Sequence, residues 1–213
     1  MPGRNVTICA GVSGSGKSTM GLRYLANAQD LAVRFLFDPD PGEFNPEVGE
    51  FADRLGLRAA RDLYGLSLSL CEGWVAFDPH TLFPGRLREA LNFFCDWAWE
   101  KSLSIPGEKI LMVDEIWAYQ TPQGIPIELQ TIVQSGRKRG LRLMVNIQEP
   151  NKLNATILNG VSEFICFRLQ SPRALDLVKE YGFDPDEVSA LQPLQFVARN
   201  LDSGGELRGR IPV

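Results

Sequence analysis

A single histidine in 213 residues leaves almost no raw material for zinc centres or imidazole-based triads, and His80 suits a loop or surface position better than a catalytic one. Cysteine is nearly as scarce. Cys9, Cys71, Cys95 and Cys166 are scattered, with no C-x-x-C spacing to suggest a metal or redox motif, and they read as reduced core residues. No apolar run approaches the ~18 residues that span a bilayer, and the N-terminus lacks a basic stretch followed by an apolar core. The expected setting is therefore cytosolic or enclosed with cytosolic contents. Positive charge is also short: 22 Lys and Arg face 26 Asp and Glu, a net charge of −4. That argues against a surface coated in positive charge and leaves room only for a local basic strip. What remains is 44% hydrophobic and 23% charged, enough for one globular α/β domain over residues 1–213.

Against this background one segment stands out. Residues 11–19 read Gly-Val-Ser-Gly-Ser-Gly-Lys-Ser-Thr and fit the phosphate-loop pattern G-x-x-x-x-G-K-[ST]. A loop that wraps a polyphosphate turns its backbone N–H groups inward, which requires residues without a Cβ. Gly11, Gly14, Ser15, Gly16, Lys17, Ser18 and Thr19 are thus the candidate nucleotide-binding residues. Lys17 is suited to the β- and γ-phosphates, and the Ser18 hydroxyl to Mg²⁺. The flanks agree with the motif. A β-branched run over 5–10 suits a buried strand, and 18–29 carries apolar residues at helical spacing, so a helix N-terminus would face the phosphates.

Further along, 33–37 reads as a strand that ends in the breaker cluster Asp38-Pro39-Asp40-Pro41-Gly42. Residues 43–73 carry no clear period, although 51–55 suggests a helical turn, and 74–77 resembles a short strand. Leu87, Leu91, Phe94, Trp97 and Ala98 mark an amphipathic helix over 84–101 with Pro84 in its first turn. Residues 109–114 form an apolar strand ending in two carboxylates, Asp114 and Glu115. The spacing predicts one helix over 126–139 that projects Gln130, Gln134 and Arg137 together. Strands are expected at 141–147, ending at Gln148, and at 164–168; a helix at 172–181; and a closing β-hairpin of 195–200 and 206–210 around a turn at 202–205. Alternating strands and helices imply a mostly parallel sheet covered on both faces, with ligands beyond the carboxyl ends of its strands.

Acids at the end of a buried strand need a cation or hydrogen-bond donors. Asp114 is placed to share a Mg²⁺ shell with Ser18, and Glu115 to orient and polarise the water that attacks a γ-phosphate. The bland alternative is a solvated strand end. Gln148 is expected on the strand between the other two, where an amide reaches both the γ-phosphate and the attacking water. Arg137 lies among Lys138, Arg139 and Arg142 near a helix end, where it is placed either to reach a neighbouring subunit's nucleotide or simply to offset the helix dipole.

The second half of the chain resembles a family. Ile110-Leu-Met-Val-Asp-Glu115, Gln134-Ser-Gly-Arg-Lys-Arg-Gly140 and Leu143-Met-Val-Asn-Ile-Gln148-Glu-Pro150 resemble the FtsK–HerA group of RecA-like motor ATPases. Within it, the small size is most similar to genome-packaging ATPases of membrane-containing, double-jelly-roll-capsid viruses. The resemblance spans roughly 5–40 and 108–170. It implies a RecA-like fold, ATP and Mg²⁺ as cofactors, and Lys17, Ser18 and Asp114 on phosphates and metal. It further implies Glu115 as catalytic carboxylate, Gln148 as γ-phosphate sensor and Arg137 as a finger supplied in trans, with Arg139 two residues away as a competitor. The implied partners are further copies in a homohexameric ring, double-stranded DNA, and capsid or portal-vertex proteins, in the host cytoplasm or the virion. Two other readings share the phosphate loop: the Zot-like assembly ATPases of filamentous phages, which look membrane-anchored, and small-molecule nucleotide kinases, which need an acceptor pocket and usually an Arg-rich lid. A nucleotide-gated binding module with negligible turnover is a third.

Overall fold

The computed structural model describes residues 4–45, 47, 49–120 and 124–212. The first apolar run is β1 (Val6–Ala10), followed by α1 (Lys17–Asn27) and β2 (Leu31–Phe37). The stretch of ambiguous period folds as α2 (Glu50–Leu55), the two-residue β3 (Ala59–Ala60) and α3 (Leu63–Glu72), then β4 (Trp74–Phe77). Next come α4 (Leu87–Ser104), β5 (Glu108–Val113), α5 (Ile127–Ser135) and β6 (Leu141–Ile147). The chain continues through α6 (Ala155–Asn159), β7 (Val161–Cys166), α7 (Pro172–Glu180) and α8 (Pro185–Ala190), and closes with β8 (Gln195–Asn200) and β9 (Glu206–Arg210).

Among the described residues these strands form one sheet in the order β3-β4-β2-β5-β6-β1-β7-β8-β9. Every pairing from β3 to β7 is parallel, and β8 and β9 add an antiparallel hairpin at the edge. The parallel strands are buried on both faces, which explains their near-continuous apolar runs. On one face Phe35, Phe37, Phe77 and Phe94 build an aromatic core under α4, with the Phe77 and Phe94 rings stacked at 5.1 Å. On the other, Cys9, Leu36, Met112 and Met144 pack beneath Leu22 and Leu25 of α1. None of the described helices is long and apolar enough to cross a membrane.

Besides Lys17, two cations are buried among the described residues, and each faces carbonyls at or just beyond a helix end. Arg34 on β2 donates from Nε to Leu25 O at 2.8 Å, from Nη1 to Leu31 O at 3.0 Å and also to Ala28 O, with its guanidinium 4.6 Å over the Trp74 ring. Lys109 on β5 is only 1% exposed and donates to Ile105 O at 2.6 Å and Ser102 O at 3.3 Å, closing the end of α4. Burial pulls both groups below their ordinary pKa, while the carbonyl dipoles favour the charged forms.

Local readings of the sequence fail at four places. Helix α4 begins at Leu87, because Pro84 belongs to a preceding turn that Gly85 ends at φ +69°. The helix expected over 126–139 breaks after Ser135 into a 3₁₀ segment, Gly136–Arg139. Gly136 is pressed so closely on β6 that a Cβ there would lie 2.3 Å from Leu141 O. β7 stops at Cys166, so Arg168 lies outside the strand, and Cys71 is exposed on α3 rather than part of the core. His80 is in a loop, and the closing hairpin has its expected bounds.

If the buried cations hold the helix ends, replacing each with an apolar side chain strands their carbonyls. Arg34→Met is expected to lower the urea-unfolding free energy by about 2–4 kcal/mol and Lys109→Met by about 1–3 kcal/mol. Losses under about 0.5 kcal/mol would mean that the carbonyls are satisfied by other means.

Candidate active site

The glycine-rich segment follows β1 and is tied down at once. Gly11 N donates to Ile147 O at 3.1 Å and Val12 N to Arg168 O at 2.9 Å, so the loop springs from the carboxyl ends of three adjacent strands. Gly11 has ordinary dihedrals, and its requirement is space: a Cβ would sit 2.6 Å from Phe167 Cβ and 2.7 Å from Ser15 Oγ. Gly14 and Gly16 meet the other requirement, with φ of +69° and +111°. The closing hairpin braces the loop from below, Leu194 N donating to Ser15 O at 3.0 Å and Ile211 N to Leu194 O at 2.9 Å. Ser15 is buried, and its hydroxyl has no partner among the described residues, an orphaned polar atom inside a cradle of backbone amides.

The following residues lead into the acids. Lys17 is 6% exposed; its Nζ donates to Val12 O at 3.3 Å and lies 3.8 Å from Glu115 Oε1. Ser18 Oγ donates to Asp114 Oδ2 at 2.7 Å. Burial pushes the Asp114 carboxyl above its ordinary range and the nearby Glu115 charge adds to this, while the Ser18 bond opposes it. Thr19 turns the other way, its Oγ1 accepting from Arg54 Nη2 of α2 at 2.8 Å.

Glu115 leaves the strand in the left-handed region, φ 43° and ψ 47°, one of two described non-glycine residues with positive φ. Its N–H donates to Asp114 Oδ1 at 2.9 Å, and the twist sends the two carboxylates in different directions. Oε1 accepts from Gln148 Nε2 at 2.9 Å, and Oε2 accepts from Trp117 Nε1 at 2.7 Å. β6 lies between β1 and β5, so Gln148 emerges between the phosphate loop and the acid pair. Lys17, Ser18, Asp114, Glu115 and Gln148 therefore converge at one rim of the sheet.

Arg137 does not join them. It precedes β6, and a strand of that length separates it from Gln148 by about 23 Å. Its side chain is exposed and has no partner among the described residues. Arg139 is engaged, its guanidinium 3.5 Å from the Trp99 ring centroid and its Nη1 3.4 Å from Trp99 O.

Three features escape sequence reasoning. Trp117 bonds Glu115 from only two residues away, a proximity visible in the chain but without a motif to mark it. Arg54 lies on the short helix suggested by 51–55, with nothing there to indicate its reach to Thr19. Beside the site, a cleft of about 380 Å³ is lined by Asp38, Asp40, Asp78, Arg61 and His80. Asp78 takes bonds from Arg61 Nε at 2.8 Å and faces His80 Nδ1 at 2.9 Å, which hold its carboxyl below the ordinary range in spite of burial. Asp38 accepts from Phe51 N and Ala52 N, both at 2.8 Å, at the start of α2; burial nevertheless pushes its carboxyl up to about 7.

No protein-family model and no curated protein matches the chain. Solved structures do. The genome packaging NTPase B204 from Sulfolobus turreted icosahedral virus 2, in complex with AMP or AMPPCP, aligns with a TM-score of 0.71 over 100% of this chain and 99% of that one, at 18% identity. VirB4 of Thermoanaerobacter pseudethanolicus aligns with a TM-score of 0.68 at 13% identity, covering 98% of this chain and 89% of that one. The cytoplasmic domain of the type VII secretion ATPase EccC from Thermomonospora curvata aligns at 0.62 and 16% identity, covering 98% and 26%. At such identities the likeness establishes the fold, a P-loop NTPase with a mostly parallel sheet between helices.

The raised Asp38 carboxyl has a consequence for stability. The folded chain holds a proton that the unfolded chain releases once pH exceeds about 4, so this residue's contribution falls as pH rises from about 4 to about 7 and is level above. Asp38→Asn removes the titration. Between pH 5 and 8 the unfolding free energy of the variant is expected to gain on wild type by roughly 2–4 kcal/mol. Parallel pH profiles in urea titrations would contradict it.

Proposed function

We propose that this chain is an ATP-hydrolysing motor subunit that moves double-stranded DNA, as in viral genome packaging. The observation that carries the reading is the 2.7 Å contact between Ser18 Oγ and Asp114 Oδ2, with Glu115 and Gln148 joined to each other beside it at the same rim. A hydroxyl and a carboxylate so placed fit the hard oxygen set of Mg²⁺, and the orphaned Ser15 hydroxyl and the glycine cradle fit a polyphosphate. When bound, Mg²⁺ supplies charge neutralisation at the β- and γ-oxygens.

The chain's own residues then divide the work. The backbone amides of Gly14 and of Gly16 to Thr19, which are not tied to neighbouring strands, would grip the phosphates, and Lys17 would shift from Val12 O and Glu115 toward the terminal oxygens. Ser18 and Asp114 would hold the metal. Glu115 orients a water in line with the γ-phosphorus and takes up its proton, while Gln148 touches both that water and the γ-phosphate. Arg137 of a second copy completes the site: in one chain it is far from the loop, exposed and uncommitted, whereas Arg139 is occupied on Trp99. A closed ring, six copies by the resemblance, brings each Arg137 to a neighbour's nucleotide.

The packaging reading is supported by an alignment that spans nearly all of both chains with a genome packaging NTPase, against 26% of the EccC chain. Capsid or portal-vertex proteins would be the further partners, in host cytoplasm or virion. A nucleotide kinase fits less well, because a second carboxylate, Glu115, directly follows Asp114 and suits the activation of water.

Hydrolysis measured with and without double-stranded DNA, with assembly size followed by sedimentation in the same samples, tests the whole reading. Stimulation in a ring-sized species is expected; turnover by a monomer that needs a nucleoside acceptor would favour the kinase. Lys17→Ala should lose phosphate binding outright. Arg137→Ala should cost ~10³ to 10⁵ in turnover while nucleotide still binds. Mixing it with inactive Glu115→Gln should restore part of the activity, since an interface can then pair one intact finger with one intact carboxylate. Mixed assemblies with no recovery would remove Arg137 from the role.

A further inference from the structure

We propose that Trp117 is the positioning residue for the water-activating carboxylate, an assignment that rests on the reading of Glu115 given above. Glu115 departs from the strand with φ 43°, and apart from Trp117 the side chains of Gln148 and Lys17 that approach its carboxylate meet it at one oxygen, Oε1. Such a side chain has three rotatable bonds, and confining it to one rotamer opposes its conformational entropy. Gln148 alone holds one oxygen and leaves the carboxylate free to turn about that bond. The indole N–H of Trp117, at 2.7 Å from the other oxygen, fixes the second point and with it the plane of the group.

The indole is presented by a rigid turn. Residues 116–118 form a 3₁₀ segment, closed by Ala118 N to Glu115 O at 3.0 Å and Tyr119 N to Ile116 O at 3.0 Å. Ile116 is fully buried, and Tyr119 packs edge-on against Phe37 at 5.3 Å, so both sides of Trp117 are anchored in the core while it remains 48% exposed. An indole so exposed contributes little to the hydrophobic core, and its bond is to the acid. The exposed ring forms a wall of a cleft of about 530 Å³ that Gln120, Lys152 and Asn154 share, with Lys152 Nζ 5.9 Å from the ring centroid. Gln120 ties the far wall by bonds to Lys152 O at 2.6 Å and from Asn154 N at 3.0 Å. The carboxylate is therefore aimed from outside the phosphate loop, by a residue that lies beyond Gly11 to Thr19 and bonds only the acid.

Steady-state ATP hydrolysis, nucleotide affinity and thermal midpoints of the wild type, Glu115→Gln, Trp117→Phe and Trp117→His test this. Trp117→Phe keeps an aromatic ring without the N–H. It is expected to lower kcat about 10- to 100-fold, the span of one hydrogen bond to a charged group, with KM, nucleotide affinity and midpoint within about twofold or a few degrees. Trp117→His, whose Nε2 can overlay the indole nitrogen, should recover part of the loss. If Glu115→Gln is inactive while Trp117→Phe keeps kcat within about twofold of wild type, this inference falls and the reading of Glu115 stands. Equal damage to affinity and kcat in both Trp117 variants would reveal a merely structural role and overturn it. An active Glu115→Gln would overturn both.

Discussion

The hydrogen bond from Ser18 to Asp114 spans from the first turn of α1 to the end of β5, across the intervening strand β6. Everything else at this rim is arranged around the problem that the bond half solves. Asp114 follows five buried residues of an apolar strand, a place where a bare carboxylate is unfavourable. One hydroxyl offsets part of that cost and leaves the carboxyl with a raised affinity for a proton. On the proposed reading, a divalent cation would take the place of that proton, so that metal binding and deprotonation of Asp114 would be linked. In this sense the strand's hydrophobicity is part of the site's chemistry.

Sheet order sets the remaining distances. Because β6 separates β1 from β5, the strands that lead into the phosphate loop and the acids run two strand spacings apart, about 10 Å, and Ser18 and Lys17 bridge that gap with their side chains. Gln148 occupies the middle of that gap. In the chain by itself it bonds Glu115, and Lys17 leans toward the same oxygen, so the groups read as meeting a nucleotide are gathered around the carboxylate. A nucleotide would replace those contacts one for one: lysine to phosphate, amide to γ-oxygen, carboxylate to water. The Trp117 bond is the one not competed for, since it approaches from the outer side.

How much of this is legible in the sequence depends on whether the cause is local. The phosphate loop, the run that ends in Asp114 and Glu115, and the strand that ends in Gln148 are written in contiguous residues, and each takes its expected place. The closing hairpin is written equally plainly, by its turn residues. What the sequence conceals are causes that act between distant segments. Gly136 breaks a periodic helix because β6 passes within contact of its Cα, and no pattern in 126–139 carries that information. Lys109 looks like the charged start of a strand and is instead a buried cap on α4. Residues 43–73 hide three short elements because each is held by tertiary contacts, α2 by the Asp38 carboxylate at its N-terminus and β3 by pairing with β4.

The choice between Arg137 and Arg139 illustrates the same division and bears on assembly. Spacing treats two arginines of one 3₁₀ turn as equivalent. Packing separates them: the Arg139 guanidinium sits over the Trp99 ring, where leaving would forfeit a cation–π contact, while Arg137 stands exposed with no side-chain partner among the described residues. Within its own chain the Arg137 guanidinium can offset the helix dipole, but a distance of about 23 Å keeps it from the phosphate loop of that chain. In the proposed assembly, a head-to-tail neighbour would bring the amino end of one sheet to the carboxyl end of the next. Such a heterologous contact closes into a ring when its rotation allows, and each interface then holds one complete site built from two chains. On the proposed reading, catalysis would be conditional on assembly, the property a motor requires if it is to stay idle until its ring has formed.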